Sequence, residues 1–493
     1  MSLMKLKSGT DIRGTAVGEN TDLTDEAVRK ITAGFLAVMQ EKTSLKPSGM
    51  TVAVGHDSRI SAERIKNAVI SVLLSQGVNV LDCSLSSTPA MFMTTVVLGC
   101  TASVQITASH HPYDKNGLKF FTRDGGFEGS EIAQVLEYAG NAAVPHSTDT
   151  SGAVPTDFMS RYAQLLREMI CKGVNSENYD KPLDGFHIVT DAGNGAGGFY
   201  AEKVLKELGA DISGSLFLEP DGLFPNHVPN PENKTAMKFI SDAVVSSGAD
   251  LGVIFDTDVD RAACVDASGE EINRNRLVAL ASVIALEENP GATIVTDSVT
   301  SDGLHEFIEN HLGGKHHRFR RGYKNVINEA IRLEKEGVCA PLAIETSGHA
   351  ALKENYFLDD GAYLITKIII LLAKLRKEGK SLSDLISCMK QPQEETELRY
   401  KILCDDFKSY GERVISDLHE YALNQQGWTV APDNYEGIRI SLDKDHGDGW
   451  MLLRLSVHDP VLPFNAESNS HGGIEKIVEQ FNKFVEKYES LSL

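Results

Sequence analysis

The sequence predicts a multidomain α/β protein: three related α/β units with mixed sheets around a central cleft, and a smaller α+β C-terminal domain. Three observations point there. At 493 residues and 42% hydrophobic content the chain can bury several cores, about three or four at ordinary domain size. An apolar strand running into a polar loop and then a helix recurs near Val52, His187, Val253 and Thr293, as duplicated units aiming their loops at one cleft would. Polar stretches containing proline at 141–156 and 390–397 read as boundaries, and the metal-loop unit closes near Gly269. The expected domains are therefore 1–150, 151–269, 270–391 and 392–493.

Composition narrows the partners. A formal net charge of −21 argues against nucleic acid or an anionic membrane, both of which need basic surface, so an anionic substrate would require a local basic pocket. Seven cysteines without a C-x-x-C spacing fit reduced thiols and a cytoplasmic protein. Residues 1–8 lack an apolar signal core, and the apolar runs 277–286 and 368–375 are too short to span a bilayer. No periodic helix seam indicates an oligomeric state.

Taken in order, residues 8–14 read as an opening loop with glycine on both sides of Arg13. A strand at 52–54, a helix at about 62–76 and a strand at 79–82 alternate β and α signals. Arg59, between the first two, reads either as a ligand contact or as a salt bridge at the helix start. The stretch 103–107 reads as a strand, Asn116-Gly117 as a turn and 118–121 as the next strand, leaving Ser109 in a loop with His110 and His111. Pro112 biases His111 away from helical angles. A hydroxyl held this way could be a nucleophile or phosphate carrier, and an ordinary polar loop is the alternative.

Helices follow at 130–140 and 157–171, then a strand at 186–190 ending in a Gly-rich turn at 193–197, which a tight strand-to-helix connection explains without a ligand. Three prolines make 221–231 a rigid irregular loop, in which His227 reads as a hydrogen-bonded residue. Next, an apolar strand runs into Asp256, Asp258 and Asp260. Three carboxylates in one short loop call for a cation, and an all-oxygen set favours Mg²⁺, Ca²⁺ or Mn²⁺ over zinc. An EF-hand starting at Asp256 fails, because Arg261 and Ala267 stand where it needs Gly and Glu. Beyond it lie a strand at 292–297, a basic run at 318–325 and the hydroxyl- and carboxylate-bearing loop 344–349. Asp359-Asp360 reads as the cap of an apolar helix at 362–375.

The serine and carboxylate loops together resemble those of the α-D-phosphohexomutase family, T-A-S-H-x-P and D-x-D-x-D-R. The resemblance extends to Gly9-Thr10-Asp11-Ile12-Arg13-Gly14, where the family has G-T-D-x-x-R-G, to the stretch D-G-x-F-P-N-H at 221–227, and to E-x-S-G-H at 345–349. It reaches R-x-S at 454–456, after which His458-Asp459 replaces the family's Thr-Glu. What the resemblance implies is a phosphoglucomutase or phosphomannomutase acting on a small sugar phosphate, through a phosphoserine and a hexose 1,6-bisphosphate, with one Mg²⁺ per active site. By that resemblance Ser109 carries phosphate and joins Asp256, Asp258 and Asp260 at the metal. Arg13, Lys119, Arg261 and His349 act in catalysis, Lys119 and His349 as proton-transfer candidates and Arg261 as a charge clamp. His110, Lys324, Glu345, Ser347, Arg454 and Ser456 bind substrate. The alternatives are a phosphoglucosamine or phospho-N-acetylglucosamine mutase, a haloacid-dehalogenase-like phosphatase with Asp256 as nucleophile, and a non-catalytic sugar-phosphate binder.

Overall fold

The structure is a computed structural model and describes residues 3–143, 147–456 and 459–493. It divides into two compact units, Met1–Ile284 with Ser347–Leu385 and Ala285–Thr346 with Ile386–Leu493. The α/β fold with mixed sheets and a C-terminal sheet domain is the one observed. No helix among the described residues is long and apolar enough to cross a membrane.

In the first unit, Thr51–His56 pairs in parallel with Asn79–Leu85 and Ala102–Ile106. Ala102–Ile106 then pairs antiparallel with Lys115–Thr122, which pairs antiparallel with Asp11–Thr15. Three helices cover one face. Their apolar stripes, including Ile31 and Phe35 of Asp25–Thr43, Ile65 and Val69 of Ala62–Ser75, and Val135 of Gly129–Asn141, meet Val52, Val104 and Phe120 of the sheet. Thr24 caps the first of these helices through Ala27 N–H, and Asp25 and Glu26 follow in its first turn, where carboxylates suit the helix dipole.

Two expectations fail here for physical reasons. Asn116-Gly117 is not a turn; both residues lie inside the strand Lys115–Thr122. Asn116 is buried and donates to Ser61 Oγ at 2.9 Å. Gly117 is needed for close approach instead, since a Cβ there would stand 2.3 Å from the Ile12 carbonyl oxygen and 2.7 Å from that of Thr107. Arg13 likewise sits on a strand, Asp11–Thr15, in register with Gly117.

The second sheet of this unit runs Glu271–Ile272, Ala262–Asp266, Leu251–Phe255, Ile188–Asp191. Leu251–Phe255 and Ala262–Asp266 form an antiparallel hairpin, so Asp256 to Arg261 are its connecting loop. The helix Lys234–Ser247 packs Met237, Ile240 and Val244 on this sheet. The Gly-rich turn fits beneath the hairpin loop: a Cβ on Gly195 would meet Thr257 O at 2.6 Å, and Ala196 N–H donates to that oxygen at 2.8 Å.

In the second unit, Thr293–Asp297 pairs in parallel with both Lys315–Phe319 and Leu342–Ile344. The C-terminal sheet is antiparallel, in the order Trp428–Val430, Ile438–Leu442, Gly449–Leu453, Val461–Ser468, Glu394–Ile402, Leu491–Ser492. Residues 394–397 were expected in a linker but pair residue by residue with Val461–Ser468. Glu395 and Glu397 lie on the solvent face of a strand whose inner positions become apolar from Leu398 onward, with Tyr400 and Ile402 buried. Phe464, Phe481, Val414 and Leu418 fill the core between this sheet and its helices Phe407–Ala422 and Gly473–Val485.

On the same sheet Glu467 is buried and accepts from Trp450 Nε1 at 2.8 Å, while the Arg439 guanidinium lies 3.6 Å over the Trp450 ring. Burial, against the Trp450 hydrogen bond and Arg439, pushes the Glu467 carboxyl up to about 7. Its folded pKa lies above the ordinary 4.5, so the neutral form is favoured by folding, and that stabilisation is present below about pH 4.5 and lost as pH rises through about 7. Thermal melts of wild type and Glu467→Gln should coincide near pH 4.5, with the variant melting a few degrees higher at pH 8. Gly117→Ala should cost about 3 kcal/mol, read as a lower denaturation midpoint, since the Cβ must push two backbone carbonyls.

Candidate functional site

The hairpin loop of the second sheet and the serine loop of the first meet within one unit. Ser109 Oγ donates to Asp256 Oδ2 at 2.9 Å and accepts from Arg261 Nη2 at 2.9 Å. Arg261 also grips Asp256 Oδ2, through Nη2 at 3.0 Å and Nε at 3.2 Å. Its Nη2 lies 2.6 Å from His110 Nδ1 as well. Both loops hold unusual backbone: Ser109 has φ 51° and Val259, at the hairpin tip, φ 68°. A β-branched residue there is strained, and the contacts around it must hold it in place.

Asp256, Asp258 and Asp260 are buried, and one oxygen from each lies within 4.8 Å of the others. Lys119 Nζ answers part of this charge, at 2.5 Å from Asp260 Oδ2 and 3.2 Å from Asp258 Oδ2. Thr88, at the start of the helix Thr88–Val97, adds its hydroxyl to Asp258 Oδ2 at 2.5 Å and its N–H to the Asp258 carbonyl at 2.8 Å. Asp258 Oδ1 and Asp260 Oδ1 remain buried with no hydrogen-bond donor. An all-oxygen set with two orphaned carboxylate oxygens fits a hard divalent cation.

The electrostatics follow from burial and charge. Burial and the neighbouring Asp260 push Asp256 well above the usual carboxylate range. Asp260 goes the other way: against burial, Lys119 and Arg261 hold it down to about 2. Burial, then Arg261, pushes His110 down to about 2. Burial, then Arg261 and Lys119, pushes His349 well below its ordinary value, so both imidazoles are neutral near pH 7.

His349 Nε2 stands 3.7 Å from Asp260 Oδ1 and 3.6 Å from Asp359 Oδ2, with Ser347 Oγ at 2.9 Å from its Nδ1. Asp360, not Asp359, caps the helix Gly361–Glu378, accepting from Tyr363 N–H at 2.9 Å. Asp359 lies on the short strand Leu358–Asp359 and turns its carboxylate toward His349. Arg13 bonds Asp11 Oδ2 at 2.8 Å, and its charge is felt at both His110 and His111.

The remaining expected residues belong to the second unit. Gly322, at φ 114°, donates its N–H to Glu345 Oε1 at 2.5 Å, and Lys324 follows in the first turn of the helix Tyr323–Lys335. Arg454 Nη1 is 3.9 Å from Glu436 Oε1, and Glu436 Oε2 accepts from Ser298 Oγ at 2.5 Å and Arg321 N–H at 3.1 Å. Ser456 Oγ accepts from Asp459 N–H at 3.2 Å; His458 lies outside the described residues.

The structure thus gathers Ser109, His110, Lys119, Asp256, Asp258, Asp260, Arg261, Ser347 and His349 in one unit, and Lys324, Glu345, Arg454 and Ser456 in the other. Thr88, Asp359, Arg321 and Glu436 join them without having been singled out for the site. Only Arg321 carried a signal, as part of a basic run in an acidic chain.

Comparison with known proteins decides the family. Models of the phosphoglucomutase/phosphomannomutase α/β/α domains I, II and III match residues 4–142, 160–269 and 273–391. The chain belongs to this family. It is therefore an enzyme, a mutase with phosphohexomutase activity, which sets aside a non-catalytic sugar-phosphate binder. A phosphomannomutase/phosphoglucomutase of Pseudomonas syringae is 28% identical over 97% of this chain and 94% of its own length. A phosphoglucomutase/phosphomannomutase of Thermococcus kodakarensis is 29% identical over 98% of this chain and 99% of its own. The crystal structure of a family protein from Burkholderia thailandensis superimposes with a TM-score of 0.81, at 25% identity, covering 100% of both chains.

Adding Mg²⁺ to metal-free protein should raise its melting temperature, by about 2.7 kcal/mol of stabilisation at a hundred times the dissociation constant. Calorimetry should show that shift lost in Asp258→Asn, which removes one charge from the three-carboxylate set.

Proposed function

We propose that the protein interconverts hexose 1-phosphate and hexose 6-phosphate, with glucose and/or mannose as the sugar, through a phosphorylated Ser109 and a hexose 1,6-bisphosphate. The observation that carries this reading is the Ser109 hydroxyl lying between Asp256 and Arg261, at 2.9 Å from each. A carrier serine needs that surrounding: a guanidinium beside the oxygen that bears the phosphoryl group and carboxylates able to hold a cation next to it. Asp256, Asp258 and Asp260 would hold Mg²⁺, which supplies positive charge against the phosphoryl oxygens when bound.

In this reading the bond between phosphorus and Ser109 Oγ breaks as a bond to the free hydroxyl of the sugar phosphate forms. His349, neutral, takes the hydroxyl proton, with Lys119 as the alternative group, and a proton reaches Ser109 Oγ as its bond to phosphorus breaks; the same movements run in reverse when the other phosphate passes back to Ser109. Arg261 stays charged and steadies the oxygen that is left. Arg454 and Ser456 take the non-reacting phosphate, Arg454 through its planar fork. Arg13, His110 and Lys324 add contacts to phosphate or sugar, and Glu345 and Ser347 bond its hydroxyls. The preference for glucose or mannose rests on the names of the relatives. Four domains, 1–150, 151–269, 270–391 and 392–493, are part of the same proposal, with the serine loop in the first, the metal loop in the second, the sugar loop in the third and the Arg454 loop in the fourth.

Peptide mass analysis of purified protein treated with glucose 1,6-bisphosphate and Mg²⁺ should place one phosphoryl group on the Ser109 peptide. Glucose 6-phosphate should then remove it. Ser109→Ala should lose glucose 1-phosphate turnover by about 10³-fold or more. An unmodified Ser109 beside normal turnover overturns the mechanism, and turnover of glucose, mannose, glucosamine and N-acetylglucosamine phosphates ranks the sugars.

A further inference from the structure

The serine loop, residues 109–115, turns four of its backbone carbonyls inward, and all four converge on one side chain, Arg59. Arg59 Nη1 donates to Pro112 O at 2.6 Å and Lys115 O at 2.9 Å. Its Nη2 donates to His111 O at 2.6 Å and to the carbonyl of Ser109 itself. The remaining N–H, on Nε, goes to Asp57 Oδ2 at 3.2 Å, and Asp57 Oδ1 accepts from Arg59 N–H at 2.9 Å. Both side chains are 0% exposed. The guanidinium lies 5.2 Å under the Phe224 ring, and the 221–224 loop is pressed against this segment so closely that a Cβ on Gly222 would meet Ile60 N at 2.4 Å.

Arg59 is therefore turned away from any ligand, and of its expected roles the salt bridge is the one present, to Asp57 rather than within the helix Ala62–Ser75. Four carbonyl dipoles pointing at one place repel one another, and a buried cation offsets that repulsion. Only a planar fork with five donors in fixed directions can serve four carbonyls and a carboxylate at once; an ammonium cannot span them. Ser109 is held at φ 51°, a region an L-residue occupies at a cost, with its hydroxyl facing Asp256 and Arg261. A hydroxyl shifted by about an ångström would lose on the order of a hundredfold in transfer rate.

We propose that Arg59 is a positioning residue: by tying the carbonyls of Ser109, His111, Pro112 and Lys115 to Asp57, it holds the phosphoryl-carrying serine in its reactive geometry without touching substrate. The proposal rests on the carrier role of Ser109 given above. It predicts that Arg59→Lys lowers kcat for glucose 1-phosphate by about 100-fold with KM within about twofold. It also predicts that amide hydrogen exchange in peptide 107–115 speeds by about tenfold or more, with no such change in the hairpin loop 256–261. A variant that merely loosened the whole domain would raise exchange in both loops.

Asp57→Asn, which leaves Arg59 in place but removes its charge partner, should show smaller changes of the same kind and decides the matter if Arg59→Lys does not fold. A folded variant with wild-type kcat and wild-type exchange in 107–115 overturns the proposal, as does equal loosening of both loops. Exchange is read without turnover, so a protein that proved not to be a mutase would sink the proposed function while the exchange data still judged Arg59.

Discussion

Three buried carboxylates in one five-residue turn are the constraint around which the first unit is arranged. Charges so close and so dry repel strongly, and each must be met by a cation or a donor. Lys119 comes from the neighbouring sheet and meets Asp260 and Asp258; Arg261 closes the hairpin and meets Asp256; Thr88 comes from the start of a helix and meets Asp258. Each compensating group belongs to a different element, so the carboxylates knit the two sheets of this unit together. The two oxygens left without donors fit a hard divalent cation.

The serine loop is built on the opposite principle. Its two charged side chains, Asp114 and Lys115, are of opposite sign, and its shape is imposed from beneath through main-chain carbonyls. The two loops meet at the Ser109 hydroxyl, where a geometry set by Arg59 and a field set by Asp256 and Arg261 coincide. Positioning and charge thus come from separate parts of the chain, and each can be perturbed while the other stands.

Much of this was legible in the sequence because it resides in contiguous residues. An apolar strand ending in alternating carboxylates states its own electrostatic problem. What was not legible depends on partners distant in sequence. Asn116-Gly117 has the composition of a turn, yet Ile12 and Thr107 press on it from both sides and make it a strand. Asp359 and Asp360 are equivalent in sequence, and only the strand pairing with Ala350–Leu352 sends one to His349 and the other to the helix end. Arg59 read as a ligand contact or a salt bridge at the helix start, because nothing local shows that four carbonyls from a loop some fifty residues on will surround it.

The net charge of −21 poses the last question, since a sugar phosphate is itself an anion. The answer lies in how the cations are held. Arg261 and Lys119 are buried and pinned by carboxylates, so their guanidinium and ammonium groups occupy fixed positions at low dielectric. Arg454 in the second unit, mostly buried beside Glu436, follows the same rule. A mobile surface lysine would attract phosphate through water and be screened by salt within about 8 Å, whereas a pinned, desolvated cation acts at contact and needs no reorganisation. The excess of acidic residues on the exterior then has little bearing on a ligand that reaches such groups, because screening attenuates the distant charges and leaves the near ones nearly intact.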